Sequence, residues 1–338
     1  MDVTVCVCVR DGAPYVDRCL AALLAETEAG AVPIVVVDHA SRDDTAALLA
    51  AWERRHAPRL RVVRFDGAGL AAARDFAWRQ AATAWVAFVD IDCAVQPGWA
   101  RGVAEAIAVH AADPRRAAFG GTNRVAQDGR LLFRACAVLL ATYVGGHNSI
   151  LNRPVTARRQ ISHCPTLNVV YRRAALEQVQ GFDAAYRRVS EDVELSRRLR
   201  AAGYTLWADP GPVVDHAARP SLAGWVRNVF LYGRGRTFHL QRHPEDFDVK
   251  FLAPPAAVLA YLAALSWDVV GAGGPSLFAL LLLVHLGAVA VPVAAETRRQ
   301  GGGWRVWAAA TAVVWLTHLA YGAGFLFELP RRRDVFVP

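Results

Sequence analysis

The sequence W-V-A-F-V-D-I-D, residues 85–92, decides the fold that this chain predicts. Its first five residues form an apolar run of the length and composition of a buried strand. Asp90 and Asp92 follow two positions apart, so their side chains point the same way at the end of that strand. Two like charges held so close are costly without a cation between them, and open α/β sheets bind ligands at this edge. The segment therefore predicts a hard divalent metal that carries a phosphate-bearing ligand.

Strands and helices alternate on the N-terminal side of this segment. Three apolar runs predict further strands: Val3–Val9, Ile34–Val37 and Leu60–Phe65. Helix signals follow each strand: Pro14, a capping-box-like pattern at Ser41 and Asp44, and an apolar stripe from Leu70 to Ala82. The alternation predicts an α/β fold, a Rossmann-like and mostly parallel sheet flanked by helices.

The pattern is less regular beyond residue 120. Leu131–Val144 is strongly apolar and predicts either an interfacial helix or part of an acceptor groove. Asn168–Tyr171 resumes a strand, Glu191–Ala202 has helical periodicity, and Pro212–Val214 is a short strand that leads to His216. The sheet is therefore expected to continue through this region.

Composition separates the C-terminal part of the chain from the rest. Apolar residues make up 54% of the 338 residues, and the excess lies after Phe251. Three segments there approach the roughly 20 residues that span a bilayer: Leu252–Val270, Leu277–Ala294 and Val306–Phe327. We therefore predict a catalytic domain at residues 1–250, a membrane domain of two or three hydrophobic helices at 251–330, and a basic tail at 331–338.

The basic residues leave the number of membrane crossings open. Arg298, Arg299 and Arg305 favour a cytoplasmic loop, and 331–333, three arginines, favour a cytoplasmic tail. Three crossings from a cytoplasmic domain cannot satisfy both. Either the tail is exported or one segment does not cross, and the first segment is the suspect because Pro254, Pro255 and Asp268 interrupt it.

Other bulk features predict the compartment and the partners. The N-terminus lacks a basic region before its apolar stretch, so it predicts a first strand and not a signal peptide. The six cysteines form no CxxC pair and predict buried thiols in a reducing compartment. We expect a membrane-attached protein whose catalytic domain faces the cytoplasm. The net charge of +8 favours an anionic membrane face or phosphate ligands, and no nucleic-acid module is recognisable.

Several polar residues besides Asp90 and Asp92 are candidates for a site. Asp38 ends a strand and can accept from a pyrimidine or a ribose, although a turn acid is the simpler explanation. Arg74 can reach a pyrophosphate or a base, and it can equally be a surface arginine. His216 is a plausible metal ligand, or else structural; with carboxylate and phosphate oxygens it suits Mg²⁺ or Mn²⁺.

Two further groups lie later in the chain. Glu191 and Asp192 begin a helix, where acids are favoured by the helix dipole, and one of them can be a general base. Arg234 and Arg236 stand just before the apolar segments. These arginines predict either contact with a phosphate or acceptor near the bilayer, or a simple positively charged anchor.

The order of these motifs is more specific than any one of them. The run of Asp38, Gly69–Arg74, Asp90–Asp92, Gly120–Gly121, Gly181–Asp183, Glu191–Asp192 and His216 resembles glycosyltransferase family 2, with the type A glycosyltransferase fold. The resemblance covers about residues 3–240. His216, Arg219 and Tyr232–Arg236 ahead of apolar helices are similar to the membrane-attached bacterial branch of the exopolysaccharide type.

The resemblance implies a nucleotide-diphosphate sugar donor, usually a UDP-sugar, and inversion at the anomeric carbon by a metal-dependent hexosyltransferase. When the roles of the family's residues are carried over to this sequence, Asp38 binds uracil and Arg74 binds the base or the diphosphate. Asp90 contacts the ribose or the metal. Asp92 and His216 hold Mg²⁺ or Mn²⁺. Asp192 is the base, and Glu191 places the acceptor. A polyprenyl-linked saccharide or glycolipid is the expected acceptor, because the apolar tail and basic juxtamembrane region suit membrane lipids.

This sequence departs from the family pattern in places. Asp11 stands where asparagine is common, and His39-Ala40 follows Asp38 where an acid or asparagine is frequent. The QxxRW motif of processive synthases is absent, so one sugar per acceptor visit is expected. Two rivals stay open: a membrane-tethered nucleotidyltransferase, and a non-catalytic sugar-nucleotide-binding assembly subunit.

Overall fold

The structure is a computed structural model that describes residues 1–126, 129–146, 153–217, 221–271 and 274–337. Arg219 lies outside these residues. Contacts within the chain divide it into two compact units. One contains Met1–Arg124, Ile150–Ala217 and the last two residues, and the other contains Val125–Ser149 and Ala218–Phe336. The boundary predicted at residue 250 divides a catalytic domain from a membrane domain, and this division stays a prediction.

The secondary structure follows the predicted alternation and extends it. The strands are β1 Val3–Val9, β2 Ile34–Asp38, β3 Leu60–Arg64, β4 Trp85–Val89, β5 Cys93–Val95, β6 Arg116–Val125, β7 Arg159–Ile161, β8 Asn168–Arg172 and β9 Thr205–His216. The helices are α1 Ala13–Thr27, α2 Thr45–His56, α3 Leu70–Arg79, α4 Trp99–Ala111, α5 Leu131–Ala141, α6 Tyr143–Gly146, α7 Arg173–Gln178, α8 Glu191–Ala201, α9 Leu222–Arg242, α10 Ala253–Val270, α11 Leu277–Arg299 and α12 Trp304–Glu328.

The first unit is built on one sheet of nine strands among the described residues. Its order is β3-β2-β1-β4-β8-β6-β9-β5, and β7 pairs with β9. The β3, β2, β1 and β4 strands are parallel, as β-α-β connections require. Pairings of β8 with β4 and β6, and of β9 with β5 and β7, are antiparallel. The α/β fold is confirmed, with a mixed sheet whose parallel part is its N-terminal half.

Buried apolar side chains cover the parallel strands as the periodicity predicted. Val16, Cys19, Leu20 and Leu23 of α1 are fully buried and belong to the same core as the alternating valines of β1. All six cysteines are buried and free, as expected for small apolar side chains. The predicted stripe therefore packs α1 on the sheet and fixes the strand ends that follow.

The predicted capping box at Ser41 and Asp44 is wrong. The Asp44 side chain makes no cap hydrogen bond, and α2 begins at Thr45. Ser41 Oγ instead accepts from the backbone N–H of Asp11, 3.0 Å away, and Asp43 Oδ1 accepts from Thr45 N at 3.1 Å. The polar side chains of this segment thus join the loops after β1 and β2.

The second unit contains three helices long and apolar enough to cross a membrane: Val249–Val270, Leu277–Arg299 and Trp304–Glu328. Large apolar side chains such as Trp267, Leu283 and Val291 are at least 67% exposed. Exposure of this extent is unusual for a surface that faces water. The three apolar segments of the sequence are therefore three continuous helices.

The suspected interruptions of the first segment do not break its helix. Pro254 and Pro255 lie in the first turn of α10, where proline is tolerated. Asp268 accepts hydrogen bonds from Ser276 Oγ and from the backbone N–H groups of Leu277 and Phe278. Its carboxylate therefore caps the start of α11.

A chain of hydrogen bonds links the apolar helices. Trp315 Nε1 donates to Tyr261 Oη at 3.1 Å, which lies 3.2 Å from His285 Nδ1. His285 Nε2 is 3.0 Å from His318 Nδ1, and His318 Nε2 is 2.8 Å from the carbonyl of Val144. Because that carbonyl can only accept, neutral rings satisfy every bond when both carry their proton on Nε2. The chain joins α6, α10, α11 and α12.

Arg234 and Arg236 lie on α9 in this second unit. Arg234 is 6% exposed and pairs with the buried carboxylate of Glu328, with 2.7 Å between Nε and Oε2. The guanidinium of Arg236 lies over the ring of Phe251, 4.5 Å from its centroid. The phosphate role stays a prediction for both, and the pairing with Glu328 competes with it at Arg234.

Candidate active site

Parallel strands bring the predicted acids to one edge of the sheet. The β1, β2 and β4 strands are parallel neighbours, and Asp38 is aligned with Val9 at their C-terminal ends. Asp90 follows β4 directly, two strands away from Asp38. The site therefore begins where open α/β sheets bind ligands.

The loops after β1 and β2 hold Asp38 in a fixed turn. Asp38 is buried, and its Oδ1 accepts from the N–H of Ser41 at 3.0 Å. Asp11 Oδ1 accepts from Arg42 N at 2.7 Å. Asp11 and Ala40 have φ of 52° and 50°, in the left-handed region where asparagine and aspartate are the most tolerated non-glycine residues. Aspartate in place of asparagine at position 11 thus preserves the backbone conformation. The hydrogen bond from Ser41 uses one of the two carboxylate oxygens of Asp38.

Arg74 lies between two carboxylates. Its Nη2 is 2.7 Å from Asp90 Oδ1, and its Nη1 donates to Glu191 Oε1. The Arg74 side chain is 4% exposed. Burial lowers the pKa of an arginine, but the two carboxylates outweigh it and raise the pKa of Arg74 above its usual range. The structure therefore shows Arg74 orienting Asp90 and Glu191, contacts that the sequence did not predict.

Gly69 explains how α3 comes so close to the start of α8. Its φ is 97°, and a Cβ at this position would lie 2.7 Å from the Cα of Arg187. The adjacent N–H of Leu70 donates to the carbonyl of Arg187 at 2.6 Å. The absence of a side chain at Gly69 therefore allows the two backbones to meet, and that approach places Arg74 against Glu191.

Glu191 and Asp192 are adjacent in sequence and differ in their environments. Burial raises the pKa of Glu191 to about 8; Arg74 opposes this and the Asp192 charge adds to it. Burial also acts to raise the pKa of Asp192, but the hydrogen bond and charge of His163, with Arg74, hold it below its usual range. Burial therefore favours the neutral form of Glu191, whereas the contacts of Asp192 favour its ionised form.

His163 was missed by sequence reasoning. Its Nε2 lies 3.3 Å from Asp192 Oδ2, and the residue stands in the loop after β7. No motif or spacing marks this histidine, because only the fold brings it to the start of α8.

Asp92 and His216 meet because β5 and β9 pair. Cys93 is directly opposite His216 in this antiparallel pairing, and Ala217 N donates to the carbonyl of Asp92 at 2.8 Å. Asp92 Oδ2 lies 3.3 Å from His216 Nε2, and both side chains are partly exposed. Asp92, Cys93 and His216 each offer a ligand atom within 4.8 Å of the others. The predicted metal pair is thus brought together.

These contacts form one continuous cluster in the first unit. Asp90 is linked through Arg74 to Glu191, whose neighbour is Asp192. Asp92 follows Asp90 by two positions and contacts His216. Carboxylates beside a carboxylate–imidazole pair can take up protons and hold a cation, which suits acid–base chemistry beside a phosphate-bearing ligand.

The mixed sheet with its flanking helices is a type A glycosyltransferase fold. A family model described as glycosyl transferase family 2 matches residues 4–180. The chain belongs to this family, and the resemblance found in the sequence is confirmed.

Two curated relatives are similar to the chain. The "Pre-mycofactocin glycosyltransferase" of Mycobacterium tuberculosis (strain CDC 1551 / Oshkosh) is 28% identical over 305 residues, 85% of this chain and 56% of that protein. The chain thus spans just over half the length of that relative. The "Succinoglycan biosynthesis protein ExoA" of Rhizobium meliloti (strain 1021) is 31% identical over 159 residues, 46% of this chain and 44% of that protein. The expected similarity to the succinoglycan-type branch is found.

A solved structure shares the fold. A mannosyltransferase from Pyrobaculum calidifontis, in complex with GDP-Man and Mn²⁺, superimposes with a TM-score of 0.63 at 20% identity. The superposition covers 98% of this chain and 87% of that one.

Proposed function

We propose that this protein is an inverting, non-processive glycosyltransferase. It moves a sugar from a nucleotide-diphosphate donor, a UDP-sugar, to a hydroxyl of a membrane-associated acceptor such as a polyprenyl-linked saccharide or glycolipid. The observation that carries the proposal is that Asp192, hydrogen-bonded to His163, lies in the same unit as the Asp92–His216 pair. Family membership and the relatives named above support the reaction class.

The residues at the sheet edge fit a divalent metal. Asp92 and His216, with Asp90 beside them, offer the mixed oxygen and nitrogen ligands that suit Mn²⁺ or Mg²⁺. Burial raises the pKa of the Cys93 thiol well above its usual range, and its soft sulfur suits Mg²⁺ or Mn²⁺ less well than oxygen or imidazole ligands do. When bound, the ion neutralises charge on the leaving diphosphate. The structural neighbour is in complex with GDP-Man and Mn²⁺, which supports this assignment.

Asp192 is the general base. Its carboxylate takes the proton of the acceptor hydroxyl while that oxygen forms a bond to the anomeric carbon. The bond from that carbon to the diphosphate oxygen breaks, and the electron pair leaves with the nucleoside diphosphate. Attack from the face opposite the leaving group inverts the configuration. A positioned base contributes roughly 10²–10⁴ in rate.

The remaining acids bind and orient the donor. Asp38 contacts the nucleobase with the oxygen that the Ser41 turn leaves over, and Asp90 contacts the ribose or the metal. Arg74 is proposed to hold Asp90 and Glu191 in place, and Glu191 helps to place the acceptor. A direct contact of Arg74 with the base or diphosphate would require its two carboxylate partners to move.

The apolar helices support a membrane acceptor. We place residues 251–330 in the bacterial inner membrane and residues 1–250 on its cytoplasmic side, with 331–338 as a basic tail. Arg236 lies on α9, before this region in the sequence, and is proposed to contact the phosphate of a lipid-linked acceptor. Docking the acceptor on a surface raises its local concentration near the site.

A donor screen tests the proposal. Purified protein is incubated with labelled UDP-sugars and GDP-sugars and with native membrane lipid extract, and the products are identified by mass. Release of a nucleoside diphosphate with a lipid product one sugar heavier supports a transferase. Release of sugar 1-phosphate, with the nucleoside monophosphate transferred to the acceptor, would instead show the nucleotidyltransferase, and donor binding without turnover would show the assembly subunit.

A further inference from the structure

We propose that His163 is the positioning residue that keeps Asp192 oriented and ionised as the acceptor base. The inference rests on the proposed function, because it assigns a second residue to the base of that reaction. It starts from the two adjacent acids at the beginning of α8, which sit on one helix turn and differ in their contacts.

Both oxygens of Asp192 are held. Oδ1 accepts from the backbone N–H of Val193 at 2.8 Å, and Oδ2 accepts from Nε2 of His163 at 3.3 Å. Two donors in different directions fix the plane of the carboxylate. The Asp192 and His163 side chains remain 22% and 31% exposed, so the pair stays open to an incoming hydroxyl.

The contact with His163 also gives Asp192 an environment different from that of Glu191. Arg74 contacts Glu191 and not Asp192, whereas His163 contacts only Asp192 of the two acids. Adjacent titratable groups whose environments differ in this way commonly divide the acid and base roles of a site. Removal of His163 leaves the charge of Arg74 and the N–H of Val193 to favour the ionised form of Asp192 against burial, so the pKa of Asp192 is expected to rise.

The other titratable groups around Asp192 cannot replace His163. Among the described residues, Cys164 and Tyr171 are also near enough to feel the charge of Asp192. Burial raises the pKa of Cys164 to about 12 and the pKa of Tyr171 well above its usual range, so both are neutral. Arg74 is committed to Asp90 and Glu191. His163 is therefore the hydrogen-bond donor that the fold supplies to Oδ2.

Infrared spectroscopy tests the inference without a substrate. The carboxylate band that Asp192→Asn removes is followed against pH in the full-length protein, in the wild type and in His163→Ala. The titration midpoint is expected to rise by roughly one pH unit in His163→Ala. His56→Ala is the control, since His56 stacks on Trp52 at the end of α2. An unchanged midpoint in His163→Ala overturns the proposal.

Kinetics with UDP-glucose and membrane lipid extract, or with the donor that the screen identifies, give a second readout. In His163→Ala the acid limb of kcat/KM moves to higher pH, kcat falls roughly 10- to 100-fold, and the donor KM stays the same. His163→Gln keeps an N–H donor without a charge, recovers part of kcat, and guards against a folding defect in the alanine variant. A normal pH profile in His163→Ala contradicts the positioning role, whereas an inactive wild type contradicts only the proposed function.

Discussion

His216 lies opposite Cys93 across an antiparallel strand pair, and this register sets His216 Nε2 3.3 Å from Asp92 Oδ2. The two residues are 124 positions apart in sequence. The carboxylate–imidazole pair is therefore positioned by sheet pairing and not by a flexible loop, which is the kind of rigid support that a ligand pair needs.

Removal of either proposed ligand is expected to weaken metal binding. In Asp92→Asn and His216→Gln, the Mn²⁺ concentration for half-maximal nucleoside diphosphate release rises at least about tenfold, because one donor atom is lost. Asp66→Asn, an exposed acid paired with Arg64, is the control and titrates like the wild type. Full activity of the wild type after chelation would refute a metal role for this pair.

Stability is expected to depend on pH through Glu191. Its pKa in the folded protein, about 8, is above its ordinary value of 4.5, so the folded state binds the additional proton between these values. The stabilisation is fully present below about pH 4.5 and is lost as the pH rises through about 8. The melting temperature of the wild type in detergent should therefore decline over this window, and Glu191→Gln should flatten the decline. Identical slopes in the two proteins would contradict the assignment.

A comparison of Gly203 with Gly69 distinguishes the cost of a left-handed backbone from the cost of a steric clash. Gly203 has φ of 86° with nothing within 4 Å of a built Cβ, whereas Gly69 has φ of 97° and meets Arg187 at 2.7 Å. Gly203→Ala should cost about 1–2 kcal/mol of unfolding free energy from the left-handed backbone alone. Gly69→Ala should cost more and should also reduce turnover, because α3 and the segment before α8 must separate. Equal costs for the two substitutions would show that the close approach is unimportant.

The parallel half of the sheet was readable from the sequence because each of its strands is a short apolar run followed by a helix signal. The antiparallel half was readable only in part: the strand predicted at Asn168–Tyr171 is β8. The β5 strand has three residues, too few to show a periodicity. The β9 strand contains Pro210 and Pro212, so only the segment from Pro212 to Val214 was predicted as a strand. Yet β5 and β9 create the contact of Asp92 with His216.

The sequence identified acids of the site but not their partners. Asp90, Glu191 and Asp192 were candidates from their positions at the ends of elements. Arg74 was assigned to a ligand, whereas it is buried between Asp90 and Glu191. Long-range pairs such as these, and His163 with Asp192, depend on tertiary packing that no local pattern encodes.

The hydrogen-bond chain of the helical unit predicts a measurable stabilisation. Tyr261→Phe removes the hydroxyl that accepts from Trp315 and bonds His285, and it should cost about 1 kcal/mol. Thermal unfolding in detergent measures the loss. In a double-mutant cycle with Trp315→Phe, the combined loss should be smaller than the sum of the two single losses, because they share one bond. Strict additivity would show that the Trp315–Tyr261 bond contributes nothing.

The turnover of Asp192→Asn tests the central claim most directly. The substitution keeps the size of the side chain and removes its ability to take a proton. With the donor and acceptor identified by the screen, nucleoside diphosphate release should fall roughly a hundredfold or more, while donor binding by calorimetry stays at the wild-type level. Turnover close to the wild type in Asp192→Asn would contradict the assignment of Asp192 as the base of glycosyl transfer.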